Sequence, residues 1–270
     1  MDSFQDKKYI MNLEVKKATQ LNGKASHYMF VPIELVTEHN ISKWLVVMYL
    51  YCQVRTGLDG IATIEIQKAV RWLGRKNNFN DRGINANLMS ALRALVDLGY
   101  VNATEDKTEY IVNPEQRTGK EDFNRYTILY LDEVEKIINY CKEHKETHVE
   151  KILHLFAYYR LSIYRKKKAY VDYAEMYADY YTNIAKNTFM TIDTVRWATQ
   201  ILDKLNLIKH YTPETAKIGN EWCTNKTVFV NYEKRVGNQL IAGGDEYYKN
   251  ELQTARMQLY DDAIGHKDGA

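Results

Sequence analysis

An internal repeat constrains this chain more than its composition does. Sliding the sequence by 107 positions brings three stretches into register at once. Leu45–Tyr51 falls on Ile152–Tyr158, Ala62–Ile64 on Ala169–Val171, and Ile84–Val101 on Thr191–Ile208. Identities are few, but the apolar pattern and the order of elements agree, as they do in a duplicated supersecondary unit. A length of 270 residues allows one large domain or two small ones. The repeat favours two.

In the first unit, Trp44–Arg55 is apolar nearly throughout and predicts a largely buried helix. Gly57-Leu58-Asp59-Gly60 predicts a turn, and Ile61–Ile64 a short strand. A second helix follows over Glu65–Leu73. A polar loop, Gly74–Gly83, comes next, with a helix cap expected at Asn80 or Asp81. In the third helix Ile84, Leu88, Ala91, Leu92, Leu95 and Leu98 form one apolar stripe, and Gly99 stands where a left-handed cap ends it. Tyr100-Val101 and Tyr110–Val112 predict a hairpin around Thr104–Lys107, closed by Pro114.

The second unit repeats the order. Helices are expected over Val149–Tyr164, Tyr173–Ala185 and Thr191–Leu205, with a strand at Ala169–Val171 between the first two. Ile192, Val195, Ala198, Ile201, Leu202 and Leu205 face inward on the third, and Asn206 takes the place of Gly99. Leu207–Tyr211 and Thr227–Tyr232 predict a second hairpin, with Pro213 and Gly219 in its longer tip. Gly243–Ile264 reads as a last helix with an apolar stripe through Tyr247, Leu252, Ala255, Leu259 and Ala263. Two roles are open to it: packing back on the body, or pairing with a second copy.

Helix, strand, helix, helix and a two-stranded hairpin is the order of the winged helix-turn-helix. Asn85–Val101 resembles the recognition helix and wing entry of bacterial winged-helix proteins, and Asp193–Ile208 resembles a second copy. Tyr28–Leu35 is similar to the extended segment that opens plasmid and phage replication-initiator winged helices of low-GC Gram-positive bacteria, and Tyr126–Val134 echoes it. The resemblance spans Tyr28 to Tyr232; the loop Lys76–Asp81 is longer and richer in asparagine than the family's pattern. It implies a fold that is mainly α with small β wings (α+β): two winged-helix domains in tandem plus a C-terminal helix. The expected divisions are an N-terminal extension (1–25), a first unit (26–115), a linking strand and helix (116–148), a second unit (149–235), and a C-terminal helix and tail (236–270).

Composition narrows the partner classes. The longest apolar run, Trp44–Cys52, is far shorter than the roughly 20 residues a bilayer span needs. Met1–Lys8 has no apolar core of the signal-peptide kind, and Cys52, Cys141 and Cys223 are too few and too far apart for a disulfide framework. A cytoplasmic location is expected. Net charge is only +2, but the cations cluster. Glu65–Arg93 holds Lys68, Arg71, Arg75, Lys76, Arg82 and Arg93 against Glu65 and Asp81. Arg160–Lys168 holds Arg160, Arg165, Lys166, Lys167 and Lys168 with no acid. Local basic patches suit contact with phosphates on one face, and an ordinary solvated surface is the competing explanation. Of the 22 tyrosines, those clustered between Tyr158 and Tyr181 are expected mostly to pack.

Cys141, His144 and His148 have metal-ligand spacing, but Lys145 stands where a zinc protease carries glutamate and no fourth ligand is in view. A solvated helix without metal is the expected reading. The chain carries no phosphate loop, no nucleophile elbow and no dinucleotide fingerprint. No catalytic residue and no cofactor are expected.

A winged helix lays its third helix in the major groove and rests its wing on the neighbouring backbone. Because the core fixes the inward stripe, base contacts must come from the opposite face. In the first unit these are Arg82, Asn85, Asn87, Ser90 and Arg93; in the second, Thr191, Asp193, Thr194, Arg196, Trp197 and Gln200. Trp197 has a second reading, as a contact between domains. Phosphate contacts are expected from Arg75, Lys76, Lys107, Lys166, Lys167, Lys168, Lys217 and Lys226. The expected partners are double-stranded DNA, a second copy of the chain, and replication or transcription proteins, with no membrane. Three functions compete: a DNA-binding protein that initiates or organises replication of a mobile element, a transcription regulator of the same fold, and a protein-interaction module. Fold alone does not separate them.

Overall fold

The computed structural model describes residues 28–38, 42–57, 60–80, 82–104, 109–112, 126–168, 171–212, 216–218, 221–223, 226–236 and 239–265. Helices alternate with small antiparallel sheets, an α+β arrangement. The chain divides into two compact units, 1–157 and 158–270. Among the described residues, no helix is long and apolar enough to cross a membrane.

In the first unit, β1 (Tyr28–Pro32) runs straight into α1 (Ile33–Thr37), helped by Pro32, whose fixed φ suits a helix entry. Next come α2 (Trp44–Arg55), β2 (Ile61–Thr63), α3 (Ile66–Trp72), α4 (Ile84–Asp97), β3 (Val101–Ala103) and β4 (Glu109–Val112). Leu45 to Cys52 of α2 is buried without interruption, as a helix apolar on all sides must be. Leu88, Leu92 and Leu95 of α4 are buried in the same core. The strands form one antiparallel sheet in the order β2-β4-β3, with Ile61 opposite Ile111 and Val101 opposite Val112.

The segment expected to link the units belongs to the first. β5 (Tyr126–Tyr130) pairs antiparallel with β1, Tyr28 opposite Tyr130, and leads directly into α5 (Leu131–Glu143). The Gln53 side chain joins this ribbon as an extra strand residue would. Its Oε1 accepts from the Phe30 N–H at 2.9 Å, and its Nε2 donates to the Phe30 carbonyl at 2.6 Å. α6 (Val149–Ser162) follows, and the division between the units falls inside it.

The cap of α4 also differs from expectation. It is Gly83, in extended conformation, rather than Asn80, and Asp81 lies outside the described residues. The reason is steric. A Cβ at position 83 would stand 2.3 Å from the Asn78 carbonyl oxygen, so only glycine lets the loop fold this close. The end of α4 is as expected: Gly99 is left-handed, at φ 75°.

The second unit contains β6 (Tyr164–Lys168), β7 (Val171–Asp179), α7 (Tyr181–Asn187), α8 (Ile192–Lys204) and β8 (Ile208–Tyr211). After these come β9 (Ala216–Ile218), β10 (Glu221–Cys223), β11 (Thr227–Asn231), β12 (Glu233–Val236), β13 (Gln239–Gly243) and α9 (Asp245–Gly265). The helix expected over Tyr173–Ala185 is a correction: its first half is strand β7, and helix begins only at Tyr181. Alternating contacts explain this. Met176 and Ala178 pack toward α9, while Tyr177 stacks on Phe229 from the other face. A period of two with contacts on both faces is a strand's pattern. Of the expected strand Ala169–Val171, the first two residues lie outside the described set. The tip of the second hairpin holds its own ribbon, β9 with β10; Pro213 and Gly219 lie outside the described residues.

The main sheet of this unit runs β6-β7-β11-β8. Its last three strands repeat the order β2-β4-β3, and Asn206 repeats the left-handed cap of Gly99 at φ 55°. The single shift of 107 fails in the middle for a simple reason. Residues 73–83 separate α3 from α4, but only 188–191 separate α7 from α8, while the β6–β7 hairpin lengthens the second unit earlier. The two insertions offset each other, and the register returns at α8.

The core of the second unit is aromatic. Phe229 is fully buried and stacks with Tyr159 at 4.5 Å and Tyr177 at 5.9 Å, with the Tyr181 ring edge-on at 6.0 Å. The hydroxyls stay satisfied: Tyr177 donates to Asp179 at 2.7 Å, Asn187 donates to Tyr158 at 3.0 Å, and Tyr159 meets Thr199 at 2.7 Å. The last helix takes the first of its two open roles. Ala255 is buried against Val228 and Val230, with Tyr248, Leu252 and Leu259 around them.

Candidate nucleic-acid interface

The inward stripe of α4 decides what remains outside. Ser90, Arg93 and Asp97 are exposed, Met89 is 39% exposed, and Asn87 is half-buried on the same side. Arg82 is exposed just ahead of the helix. Asn85 is withdrawn from this face. It is buried, its Oδ1 accepts from the Asn78 N–H at 2.7 Å, and its Nδ2 donates to Asn77 Oδ1 at 3.2 Å. Its polar groups hold the preceding loop, so they are not offered to a base edge. Lys76 is exposed on that loop, while Arg75 is half-buried with Nη2 lacking a hydrogen-bond partner among the described residues. On α3, Lys68 and Arg71 are also exposed; Lys68 is paired with Glu65.

α8 presents the corresponding face in the second unit. Asp193, Arg196, Gln200 and Lys204 are exposed at helical spacing. Thr191 and Thr194 serve the cap: Thr191 Oγ1 accepts from the Thr194 N–H at 3.2 Å, and the two hydroxyls lie 2.8 Å apart. Asp193 suits the positive end of the helix and opposes an approaching phosphate. The Arg196 guanidinium sits 5.6 Å from the centroid of the Tyr181 ring, which restrains it without burying it. Trp197 is half-buried. Behind this face, Asp203 is held below the usual carboxylate range. Burial acts to raise it, but His210 at 2.9 Å and Lys209 at 2.8 Å together outweigh burial.

Of the remaining expected phosphate contacts, those among the described residues lie on or beside strands. Lys226 is exposed at the start of β11, 5.9 Å from the Tyr180 ring. Lys166, Lys167 and Lys168 lie in β6, where Lys167 pairs with Asp172 in the backbone register. Lys217 lies in β9 opposite Trp222. Lys107 lies outside the described residues. Arg82, Ser90 and Arg93 are thus exposed on one unit, and Arg196 and Gln200 on the other.

Sequence reasoning passed over three side chains on these surfaces. Lys204 continues the outer face of α8, and its place in the stripe after Arg196 and Gln200 was the signal. Phe79 is 70% exposed between Lys76 and Arg82, an aromatic alone in a polar loop. Phe189, in the turn before α8, is 44% exposed with its backbone left-handed at φ 52°.

The histidines near Cys141 are engaged elsewhere. His144 stacks on Tyr140 at 4.0 Å, with its Nδ1 3.0 Å from the Tyr140 carbonyl oxygen, and His148 Nδ1 lies 3.4 Å from Glu150. Cys141 is buried, and burial first, then the Glu146 charge, pushes its thiol up to about 12. Among the described residues no three potential ligands stand close enough to hold a metal. A scan against protein-family models and a search of curated proteins find no match to this sequence.

Proposed function

We propose that this chain binds double-stranded DNA through two winged-helix units in tandem, and that it initiates or organises replication of a plasmid, phage or other mobile element. The observation that carries the reading is a repeated presentation. In each unit a short helix, a turn and a longer helix lead into a hairpin, and the longer helix turns arginine and neutral polar groups outward, with one aspartate toward an end of each (Asp97, Asp193). That is the arrangement that puts a helix into a major groove and a hairpin on the adjacent backbone. Arg82, Arg93 and Arg196 then reach guanine edges or phosphates, and Asn87 and Gln200 have the paired donor and acceptor that adenine requires. Lys76, Lys204 and Lys226 add affinity without reading sequence. The replication role rests on the likeness of the opening strand segments to those of replication initiators; a transcription regulator would use the same surfaces at a different site on the genome.

The test is binding to a fluorescent random-sequence duplex across a salt series, beside an Arg93→Ala/Arg196→Ala double variant. Binding should weaken steeply with salt. The variant's slope of log K against log salt should be shallower by about 0.9 for each phosphate that it no longer neutralises. Absence of salt-dependent binding by the unaltered protein would overturn the reading and leave protein interaction as the use of these surfaces.

A further inference from the structure

We propose that Phe79 is a wedge that enters the base stack of bound DNA beside the groove occupied by α4. The proposal rests on the DNA-binding reading above and adds a residue that carries no charge and reads no base edge. At 70% exposure, Phe79 is the most exposed large apolar side chain among the described residues. A ring so placed leaves a large apolar surface in water with no gain in folding.

The loop that carries it is well tied. The Asn78 N–H donates to Asn85 Oδ1 at 2.7 Å, and the Asn80 N–H donates to Asn78 Oδ1 at 3.1 Å. The Gly83 N–H donates to the Asn80 carbonyl at 2.7 Å, and Gly83 leaves no room for a side chain against Asn78. Phe79 is therefore presented by a preorganised backbone, which lowers the ordering cost of inserting it.

Charge selects the partner. The loop carries three cations, Arg75, Lys76 and Arg82, against one acid, Asp81, whose placement lies outside the described residues, so basic charge prevails on it. Cations on both sides of an apolar tip disfavour docking on an apolar protein surface and favour a polyanion with flat apolar faces inside it. DNA is such a partner: phosphates meet Lys76 and Arg82, and the ring meets the faces of bases at a step that unstacks readily. The second unit carries an exposed Phe189 in the connection before its own outward-facing helix, so each unit has an exposed phenylalanine in that connection.

The test compares the full-length protein and two variants, Phe79→Ala and Phe79→Trp, on two duplexes of one sequence, with and without a central mismatch. A wedge gains where the stack is already broken, so the unaltered protein should prefer the mismatched duplex. Phe79→Ala should lose that preference and about tenfold in affinity for the matched duplex, with an unchanged salt slope, since no cation is removed. Phe79→Trp should restore the preference. Circular dichroism should show all three equally folded, because the side chain is exposed. Salt-dependent binding that Phe79→Ala leaves unaltered on both duplexes overturns the wedge and spares the DNA-binding reading. Failure of the unaltered protein to bind either duplex overturns both.

Discussion

The two units reach one order of elements by different means. The first has the long connection, 73–83, immediately before its outward-facing helix and binds it down with Asn85 and Gly83. The second closes the same connection in 188–191, caps the helix with Thr191, and lengthens its sheet with the β6–β7 hairpin instead. Their cores differ in kind as well. The first packs mainly aliphatic side chains around one buried ring pair, Tyr49 and Tyr100, whereas the second is built of rings stacked around Phe229 and backed by α9. What stays constant is the helix, turn, helix and hairpin, with a left-handed residue between helix and hairpin. That shared order gives the exposed faces of α4 and α8 equivalent places in the two units.

The largest expected effect would break the comparison at its core. Phe229 is fully buried among Tyr159, Tyr177 and Tyr181, so Phe229→Ala should cost the second unit about 3–5 kcal/mol. Hydrogen exchange should show protection falling over β7, β11 and β8, with β2, β4 and β3 retaining theirs. Equal loss in both sheets would mean that the two compact units do not fold independently.

The sequence exposes some of this architecture and conceals the rest, for physical reasons. α2, α4 and α8 are legible because a helix declares its buried side within its own residues. The left-handed ends at Gly99 and Asn206 are legible because few residues tolerate that backbone. β7 is concealed because Tyr173–Asp179 alone satisfies helix and strand patterns equally, and β11, the partner on one of its two edges, lies far along the chain. The pairing of β1 with β5 is concealed for the same reason, since no local turn joins them. At the candidate interface, Ser90, Arg93, Arg196 and Gln200 are exposed because the apolar stripe dictates the opposite face. Asn85 is not exposed, because a loop with its own hydrogen-bonding demands folds over it; composition alone gives no sign of that.

Acid should separate the units. In the first, His154 of α6 is buried, and neither ring nitrogen has a well-aligned partner among the described residues. Burial first, and the Lys43 charge second, hold its imidazole down at about 3, with the Val36 backbone opposing in part. The unfolded chain protonates this ring near 6.5, whereas the folded chain does not. Its contribution is therefore complete above pH 6.5 and declines as pH falls from there toward 3, by up to about 1.4 kcal/mol per pH unit. Between pH 7 and pH 5 the first unit should lose about 2 kcal/mol, and His154→Leu should remove that loss. Asp203 gives the second unit a lower window. Its lowered pKa means a contribution that persists down to the ordinary carboxylate range and disappears only as pH falls through the lowered value. Urea unfolding at the two pH values, followed by hydrogen exchange in each unit, checks the order. Earlier acid loss in the second unit would contradict it.

The smallest effect is the sharpest comparison, because it exchanges one residue between equivalent positions. Gly99 and Asn206 both hold left-handed backbone, at φ 75° and φ 55°, between the outward-facing helix and its hairpin. A Cβ at position 99 would meet nothing within 4 Å, so space is not the constraint there and any cost of Gly99→Ala is conformational. That cost should be about 1 kcal/mol, the usual penalty for an ordinary residue in this region. Asn206→Gly should move stability the other way or leave it unchanged, since glycine adopts the conformation without strain but loosens the unfolded chain. The two unfolding midpoints should therefore shift unequally: downward for Gly99→Ala, and upward or not at all for Asn206→Gly. A clear loss in the second variant would show that the Asn206 side chain, rather than its backbone, secures the end of α8, and the equivalence of the two caps would fail.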